Sequence, residues 1–339
     1  MSDRSLVMVI GPGRSGTSSM AGALAACGFH VPGAIRGNQT NPTGFFEPRW
    51  VVNLHKRLLE KAGVGTLDPD PAAIDRIARI NQSPEEQRSV REWLEARFEE
   101  NPRLVLKDPR MVWFHDLWVA AADQIGVTPG FVVMVRHPAE VSSSRSTYYA
   151  SRDVGAVSGW INVALLSEKL TARSPRRFVH YPDLLADWRP ELAEVARLLD
   201  VSLTPSPAER PHPVDDLIDP SLRRMSDGWD DVAVPPVLVD LAERTFARLH
   251  EESRIGGSVP ADAFDALRAE YAELHDFATV MTTTRSKRRN DEVRQRAARR
   301  ARRQLRAELA AAAANVVPQI SAKAGLVARV RDRLNRGGL

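Results

Sequence analysis

The strongest constraint on the fold is a strand, a glycine-rich turn and a helix near the start of the chain. Residues 6–10 form a continuous apolar run, which is typical of a buried parallel strand. The turn Gly11-Pro-Gly-Arg-Ser-Gly-Thr-Ser-Ser19 follows, and residues 20–27 then have the composition of a helix that ends at Gly28. Small residues in such a turn let backbone N–H groups converge at the N-terminus of a helix. The unit therefore predicts an anion-binding turn, the alternative being a merely tight connection.

Further apolar runs alternate with helical segments along the chain. Strands are predicted at residues 104–106, 131–135 and 177–181. Helices are predicted near residues 49–62, 83–101, 113–126, 139–148, 158–173, 189–199, 236–252 and 260–277. This alternation predicts an α/β fold, in which helices flank a parallel β-sheet.

The basic charge of the chain is concentrated at its C-terminal end. Residues 285–339 contain 16 Lys or Arg and 4 Asp or Glu, whereas the rest of the chain contains 31 and 39. We therefore expect an acidic α/β domain over residues 1–280 and a basic, helical C-terminal extension over residues 281–339. A main body with excess acid argues against nucleic acid as a partner.

Composition excludes several classes of protein. A single cysteine, Cys27, rules out a disulfide framework. No apolar run approaches the roughly 18 residues of a membrane span, and the first apolar run is too short for a signal peptide. A cytoplasmic chain is therefore expected. The histidines form no metal-ligand spacing with one another or with Cys27, so no metal site is predicted.

The glycine-rich turn differs from the phosphate loop of nucleoside triphosphatases. When Gly11 and Gly16 are aligned with the glycines of G-x-x-x-x-G-K-[ST], Thr17 takes the place of the lysine. The cation is instead Arg14, inside the turn. Because no lysine is placed to reach a β- or γ-phosphate, a group with fewer phosphates and no metal fits the turn better.

Two other predicted strands end in charged residues. The second strand runs into Lys107-Asp-Pro-Arg110, and the third into Arg136-His-Pro138. Ser144 follows Arg136 by eight positions, which is about two helical turns. Ligands bind at the carboxyl ends of the strands in open α/β sheets. An arginine fork and a hydroxyl suit a dianionic phosphate.

The turn and the Arg136–Ser144 spacing together resemble the two signatures of the sulfotransferase family. Its members have a P-loop-like fold and use 3′-phosphoadenosine 5′-phosphosulfate (PAPS) as the donor. The resemblance covers about residues 5–255. It implies that Arg136 and Ser144 hold the 3′-phosphate. It also implies that the 5′-phosphosulfate is held by Gly13, Arg14, Ser15, Gly16, Thr17 and Ser18.

The segment Asn41-Pro-Thr-Gly-Phe-Phe-Glu47 resembles a stretch of bacterial sulfotransferases that act on carbohydrates. This resemblance implies that Glu47 is the base that deprotonates the acceptor. Phe45 and Phe46 would desolvate its carboxylate. Alternatively, Glu47 caps the following helix or pairs with Arg49. The chain lacks the C-terminal R-K-G-x-x-G-x-W loop of the small-molecule branch, which also favours the carbohydrate-like branch.

Residues 107–110 resemble the K-D-P-R stretch of bacterial members. Lys107 would neutralise the sulfate or the 5′-phosphate, and Arg14 would stabilise the oxygens at sulfur. Asp108 is an alternative base or a partner that orients Lys107, and Arg110 would face the acceptor or the donor. The alternative interpretation of these residues is an internal salt-bridge cluster.

The resemblance implies in-line transfer of a sulfuryl group from PAPS to a hydroxyl of a glycan, a glycolipid or a glycosylated metabolite, with no metal. Two other hypotheses stay open at this stage. The first is a P-loop kinase of a small molecule, and the second is a non-catalytic nucleotide-binding adaptor.

A basic helix is predicted at residues 285–310, with an Ala/Leu stripe at every fourth position. It is either a solvated helix, a site for anionic lipid at the inner membrane face, or a contact with a second copy of the chain. Nucleic acid ranks last because no aromatic residue interrupts the basic run between Arg285 and Arg306.

Overall fold

The computed structural model describes residues 4–35, 44–149, 153–219, 228–230 and 232–282, with seven positions beyond them (299–300, 302–303, 328–329 and 331). Side chains are described up to Ser144 in the second of these ranges. The chain divides into two compact units, Met1–His275 and Asp276–Leu339. The predicted basic helix at residues 285–310 lies mostly outside the described residues. Among the helices of the described residues, none has both the length and the apolar character needed to cross a membrane.

Four parallel strands form the sheet, in the order β2-β1-β3-β4. Their bounds are β1 Ser5–Ile10, β2 Arg103–Lys107, β3 Gly130–Val135 and β4 Arg176–His180. In this register Leu6 lies opposite Leu104, and Val9 lies opposite Val132. The predicted α/β fold with a parallel sheet and flanking helices is therefore confirmed.

Helices cover both faces of the sheet. Their bounds are α1 Thr17–Ala26, α2 Arg49–Ala62, α3 Ala73–Asn81, α4 Pro84–Glu100, α5 His115–Asp123, α6 Pro138–Tyr149, α7 Asp153–Thr171, α8 Tyr181–Ala186, α9 Trp188–Leu199 and α10 Pro236–Ser253. Residues 261–282 are helical as well. The predicted N-cap of α4 is present, because Ser83 Oγ accepts a hydrogen bond from the Glu86 backbone N–H.

Two apolar cores lie on opposite faces of the sheet. Successive side chains of a strand point to opposite faces. Leu6, Met8 and Ile10 therefore join a large core with α2–α5, α7 and α10. Val7 and Val9 join a smaller core with α1, α8 and α9. Burial on both faces explains why β1 is a continuous apolar run and not an alternating one.

Two boundaries differ from the prediction in a way that affects the site. Tyr181 was expected to end the fourth strand, but it begins α8. Pro182 explains the change, because proline has no N–H for the strand ladder and fits the first turn of a helix. Helix α1 begins at Thr17, three residues before the predicted start, so its N-terminus lies directly in the glycine-rich turn.

Candidate active site

The carboxyl ends of the four strands bring the predicted site residues to one edge of the sheet. β1 runs into the glycine-rich turn, β2 ends at Lys107, and β3 is followed by Arg136. β4 is followed by Tyr181. Because β1 lies between β2 and β3, the turn has Lys107 on one side and Arg136 on the other. This is the edge at which open α/β sheets bind ligands.

The glycine-rich turn presents the N-terminus of α1. Gly16 is its N-cap, no side chain caps the helix, and its first turn contains no acidic residue. Ser15 is fully buried, and its Oγ makes no hydrogen bond to any described residue. Buried hydroxyls normally have partners, and free N–H groups at a helix N-terminus attract anions. The turn therefore has the features of an anion-binding site.

Close packing fixes the backbone of the turn. Gly11 has φ 130°, and a Cβ there would lie 2.7 Å from the Met134 carbonyl oxygen. Gly16 has φ 86°, and its Cβ would fall within the ring of Tyr181, 2.0 Å from Cδ2. Only glycine fits both positions, because each combines a left-handed backbone with a near contact. The turn thus lies directly against β3 and the Tyr181 ring.

Arg136 links the turn to the end of β3. Its Nη1 donates a hydrogen bond of 2.9 Å to the backbone carbonyl of Arg14, which has a left-handed φ of 77°. Its guanidinium carbon lies 4.8 Å from the centroid of the Tyr181 ring, and its Nε donates to Glu140. Arg14 in turn donates from Nε to Ser144 Oγ at 3.0 Å. The structure therefore brings together Arg14, Arg136 and Ser144, the three side chains predicted to hold the two ends of the donor.

Lys107 links the turn to Glu47. Its Nζ donates to Glu47 Oε1 at 2.6 Å, to Ser18 Oγ at 3.0 Å and to the Phe45 carbonyl at 3.2 Å. The side chains of Lys107 and Glu47 are only 3% and 13% exposed. Arg49 was the alternative partner for Glu47, but the Glu47 carboxylate pairs with Lys107 instead. A nearly buried carboxylate is thus held beside the first turn of α1.

A short antiparallel bridge and one aromatic ring position Glu47. Ile35 N–H donates to the Glu47 carbonyl, next to the bridge between Ala34 and Pro48. Phe46 has φ 52°. Its ring packs closely on Gly22 of α1, so that a Cβ added to Gly22 would lie 2.9 Å from the ring. Residues 36–43, which include the first three positions of the predicted motif, lie outside the described residues.

Asp108 belongs to an internal network. It accepts hydrogen bonds from the backbone and the guanidinium of Arg110, at 2.7 and 2.9 Å. Trp118 Nε1 donates to His55 Nε2, so the ring proton of His55 is on Nδ1, 3.5 Å from Asp108. Burial raises the pKa of Asp108, but His55 and Arg110 outweigh it and hold that pKa at about 2. Thus Lys107 pairs with Glu47, and Asp108 pairs with Arg110 and His55.

Tyr181, Glu140 and His55 are parts of the site that were not predicted from the sequence. Glu140 follows Arg136 by four residues on a predicted helix, a spacing that allows an ion pair. Tyr181 is the last residue of a predicted strand, and strand ends are positions where site residues occur. His55 carried no such signal, because its contact with Asp108 depends on how α2 packs against the sheet.

We expect Lys107 and Glu47 to be energetically coupled. Lys107→Met leaves a nearly buried carboxylate without its cation and should destabilise the fold by about 3 kcal/mol. Lys107→Met combined with Glu47→Gln should recover at least about 1 kcal/mol of that loss. Urea unfolding of the single and double variants measures the coupling. Arg248→Met, which breaks an exposed pair with Glu251, is the control and should cost less than about 1 kcal/mol. If the changes in unfolding free energy of the two single variants simply added up in the double variant, the coupling would be contradicted.

The network around Asp108 predicts a dependence of stability on pH. Its pKa falls from an ordinary 3.8 to about 2 on folding, so its contribution is present above pH 3.8 and is lost as the pH falls towards 2. Asp108→Asn should therefore destabilise the chain by about 2 kcal/mol at neutral pH, and the difference from wild type should vanish near pH 2. Asp123→Asn, at an exposed position, is the control and should change stability little. A constant difference for Asp108→Asn would show that its charge is not the stabilising group.

Comparison with known proteins gives distant structural likenesses. No protein-family model and no curated protein matches the chain. It is similar to the sulfotransferase domain from the Synechococcus PCC 7002 olefin synthase, with a TM-score of 0.39 and 16% identity over 80% of this chain and 96% of that one. It is also similar to the sulfotransferase domain from the curacin biosynthetic pathway, with a TM-score of 0.41 and 17% identity over 73% and 98% of the two chains. At TM-scores this low, the activity has to be inferred from the residues of this chain's own site.

Proposed function

We propose that this chain is a sulfotransferase that uses PAPS and sulfates a hydroxyl of a carbohydrate-type acceptor. The observation that carries the proposal is a juxtaposition at one sheet edge. The glycine-rich turn lies between the Arg14–Arg136–Ser144 contacts and the Lys107–Glu47 pair. Two arginines and a helix N-terminus suit a donor with two anionic ends. A paired carboxylate next to them suits a base.

The side chains and backbone of the site fit the donor. The backbone N–H groups of residues 13–18 and the guanidinium of Arg14 would hold the 5′-phosphosulfate, and the buried Oγ of Ser15 would gain a partner there. Arg136 and Ser144 would hold the 3′-phosphate. When bound, PAPS supplies the sulfuryl group and a bisphosphate leaving group. Arg14 is charged at every working pH, so we assign it electrostatic stabilisation and not proton transfer.

We assign the base to Glu47. Lys107 donates a hydrogen bond to Oε1 of the Glu47 carboxylate and compensates its charge. We assign Oε2 as the atom that accepts the proton of the acceptor hydroxyl. Asp108 is a weaker candidate because its pKa of about 2 and its contacts with Arg110 and His55 leave it a poor proton acceptor. Lys107 also contacts Ser18 in the turn, so its ammonium lies where it would offset negative charge on the leaving phosphate.

A groove beside the Glu47 segment supports an acceptor with sugar-like chemistry. Trp50, three residues after Glu47, stacks on Trp93 with ring centroids 4.9 Å apart and an interplanar angle of 9°. The groove has a volume of about 390 Å³ and is lined by Pro32, Gly33, Arg49, Trp50, Asn53, Trp93 and Arg97. Aromatic faces with a few amide and guanidinium donors bind ligands that are apolar on one face and hydroxylated at the rim. The proposed roles of the basic extension, at anionic lipid or a second copy of the chain, are separate from this assignment.

The direct test is transfer of radiolabelled sulfate from PAPS to a panel of oligosaccharides and glycolipids, without added metal. The wild-type chain should label at least one acceptor. Glu47→Gln should lower kcat by about a hundredfold to ten-thousandfold. Exposed Glu60→Gln, on the same helix α2 that follows Glu47, is the matched control and should keep full activity.

Two results would contradict the proposal. Equal transfer by wild type and Glu47→Gln would remove Glu47 as the base. Absence of transfer from PAPS, together with phosphate transfer from ATP and magnesium, would make the chain a kinase.

A further inference from the structure

A second cluster of chemically competent side chains lies where β4 and α8 meet α10. His180 is the last residue of β4, and Asp183 follows in the first turn of α8. His250 lies in the last turn of α10. One ring nitrogen of each histidine and one carboxylate oxygen of Asp183 all lie within 4.8 Å of one another. The proposed sulfuryl transfer uses none of the three.

The geometry of the cluster resembles a set of ligands more than a simple packing contact. His180 Nδ1 lies 3.1 Å from Asp183 Oδ2, and the two imidazole centroids are 4.3 Å apart. Phe246 stacks on His250 at an interplanar angle of 10° and also borders His180, which gives the cluster an apolar wall. Two imidazoles and one carboxylate on an apolar wall are a common donor set for zinc and related divalent ions.

Access to the cluster also suits a cation. The side chain of His180 is 12% exposed, whereas that of Asp183 is 50% exposed, so a cation can enter from the side of the carboxylate.

We propose that His180, Asp183 and His250 bind one divalent transition-metal ion of the zinc type. Water would fill the fourth position of a tetrahedron. Donor atoms around tetrahedral zinc lie about 3.4 Å apart, given bonds of about 2.1 Å. The three donors therefore need to close by about 1.4 Å at most, which rotation of the half-exposed Asp183 side chain and small ring movements can supply.

Such an ion would connect the end of β4 to α10 and so support the anion-binding turn. His180 is the neighbour of Tyr181, whose ring packs on Gly16 and lies beneath the guanidinium of Arg136. The role is positional, because the connection from His180 to the turn runs through Tyr181. No metal site was predicted from the sequence because His180 and His250 are far apart along the chain. The short spacing of His180 and Asp183, with two residues between them, was the available signal.

The test is metal binding by the full chain, with no nucleotide or acceptor present. Calorimetric titration with Zn²⁺ should give one site per chain. Co²⁺ should give the intense visible absorption of tetrahedral coordination. Zn²⁺ at a hundredfold excess over its dissociation constant should raise the Tm by roughly 5 °C. Mg²⁺ should have no effect, because it prefers oxygen ligands.

Variants make the assignment specific. His250→Ala and Asp183→Asn should each weaken Zn²⁺ binding by about a hundredfold or more and abolish the Co²⁺ absorption. His30→Ala removes a partly exposed histidine, 3.9 Å from Glu100, and should leave both readouts unchanged. If His250→Ala fails to fold by circular dichroism, Asp183→Asn decides the question, because its side chain is half exposed.

Absence of Zn²⁺ binding by the wild-type chain would overturn the proposal. So would equal binding by wild type and Asp183→Asn. Because these readouts need neither PAPS nor an acceptor, their failure would leave the proposed sulfuryl transfer untouched, and the converse also holds.

Discussion

The hydrogen bond from Arg136 to the backbone carbonyl of Arg14 joins the two strand ends on which the candidate site is built. Arg14 has a left-handed φ, which costs a non-glycine residue about 1–2 kcal/mol, so the surrounding contacts must hold it in place. The Tyr181 ring provides the wall behind Gly16, and Arg136 stacks on that same ring. Three strands therefore cooperate to shape one turn, and the parallel sheet is what aligns them.

Charge balance organises the other side of the turn. Lys107 is almost buried and has three acceptors, Glu47, Ser18 and the Phe45 carbonyl, so its desolvation is offset by hydrogen bonds and one ion pair. Asp108, one residue later, is compensated separately by Arg110 and His55. Adjacent residues of one strand end thus serve different networks. One of them faces the turn, and the other holds α2 against the sheet.

The sequence was sufficient for the parts of the fold that depend on local pattern. Apolar runs predicted β1, β2 and β3 to within about one residue, because strands buried on both faces are mostly apolar. The fourth strand was also predicted to within one residue, although only Phe178 and Val179 of its five residues are apolar. Glycines at 11 and 16 predicted the turn, because only glycine fits the backbone and the close contacts at those two positions. Helix α3, which has only nine residues, was not predicted, although Ala73, Ile77 and Ile80 are buried on it.

Contacts between segments that are distant along the chain could not be predicted from the sequence. Pairing of Lys107 with Glu47, and of His55 with Asp108, follows from the packing of α2 beside β2. The approach of His250 to His180 follows from the packing of α10 against β4. None of these pairs has a regular spacing, so local periodicity carried no information about them. The roles of Arg136 and Ser144 were inferred from a family resemblance, and the structure adds their common contact with Arg14.

The central claim is that the strand ends form a site for a nucleotide with a 3′-phosphate. Calorimetric titration with adenosine 3′,5′-bisphosphate, without magnesium, tests it most directly, with AMP as the matched ligand. We expect the bisphosphate to bind more tightly than AMP, and we expect Ser144→Ala to reduce the ratio of the two affinities by about tenfold. Ser142→Ala, whose buried hydroxyl lies two residues earlier on α6 and has no hydrogen-bond partner among the described residues, should leave the difference unchanged. Equal affinity for AMP and the bisphosphate, or tight binding only of ATP with magnesium, would contradict the account.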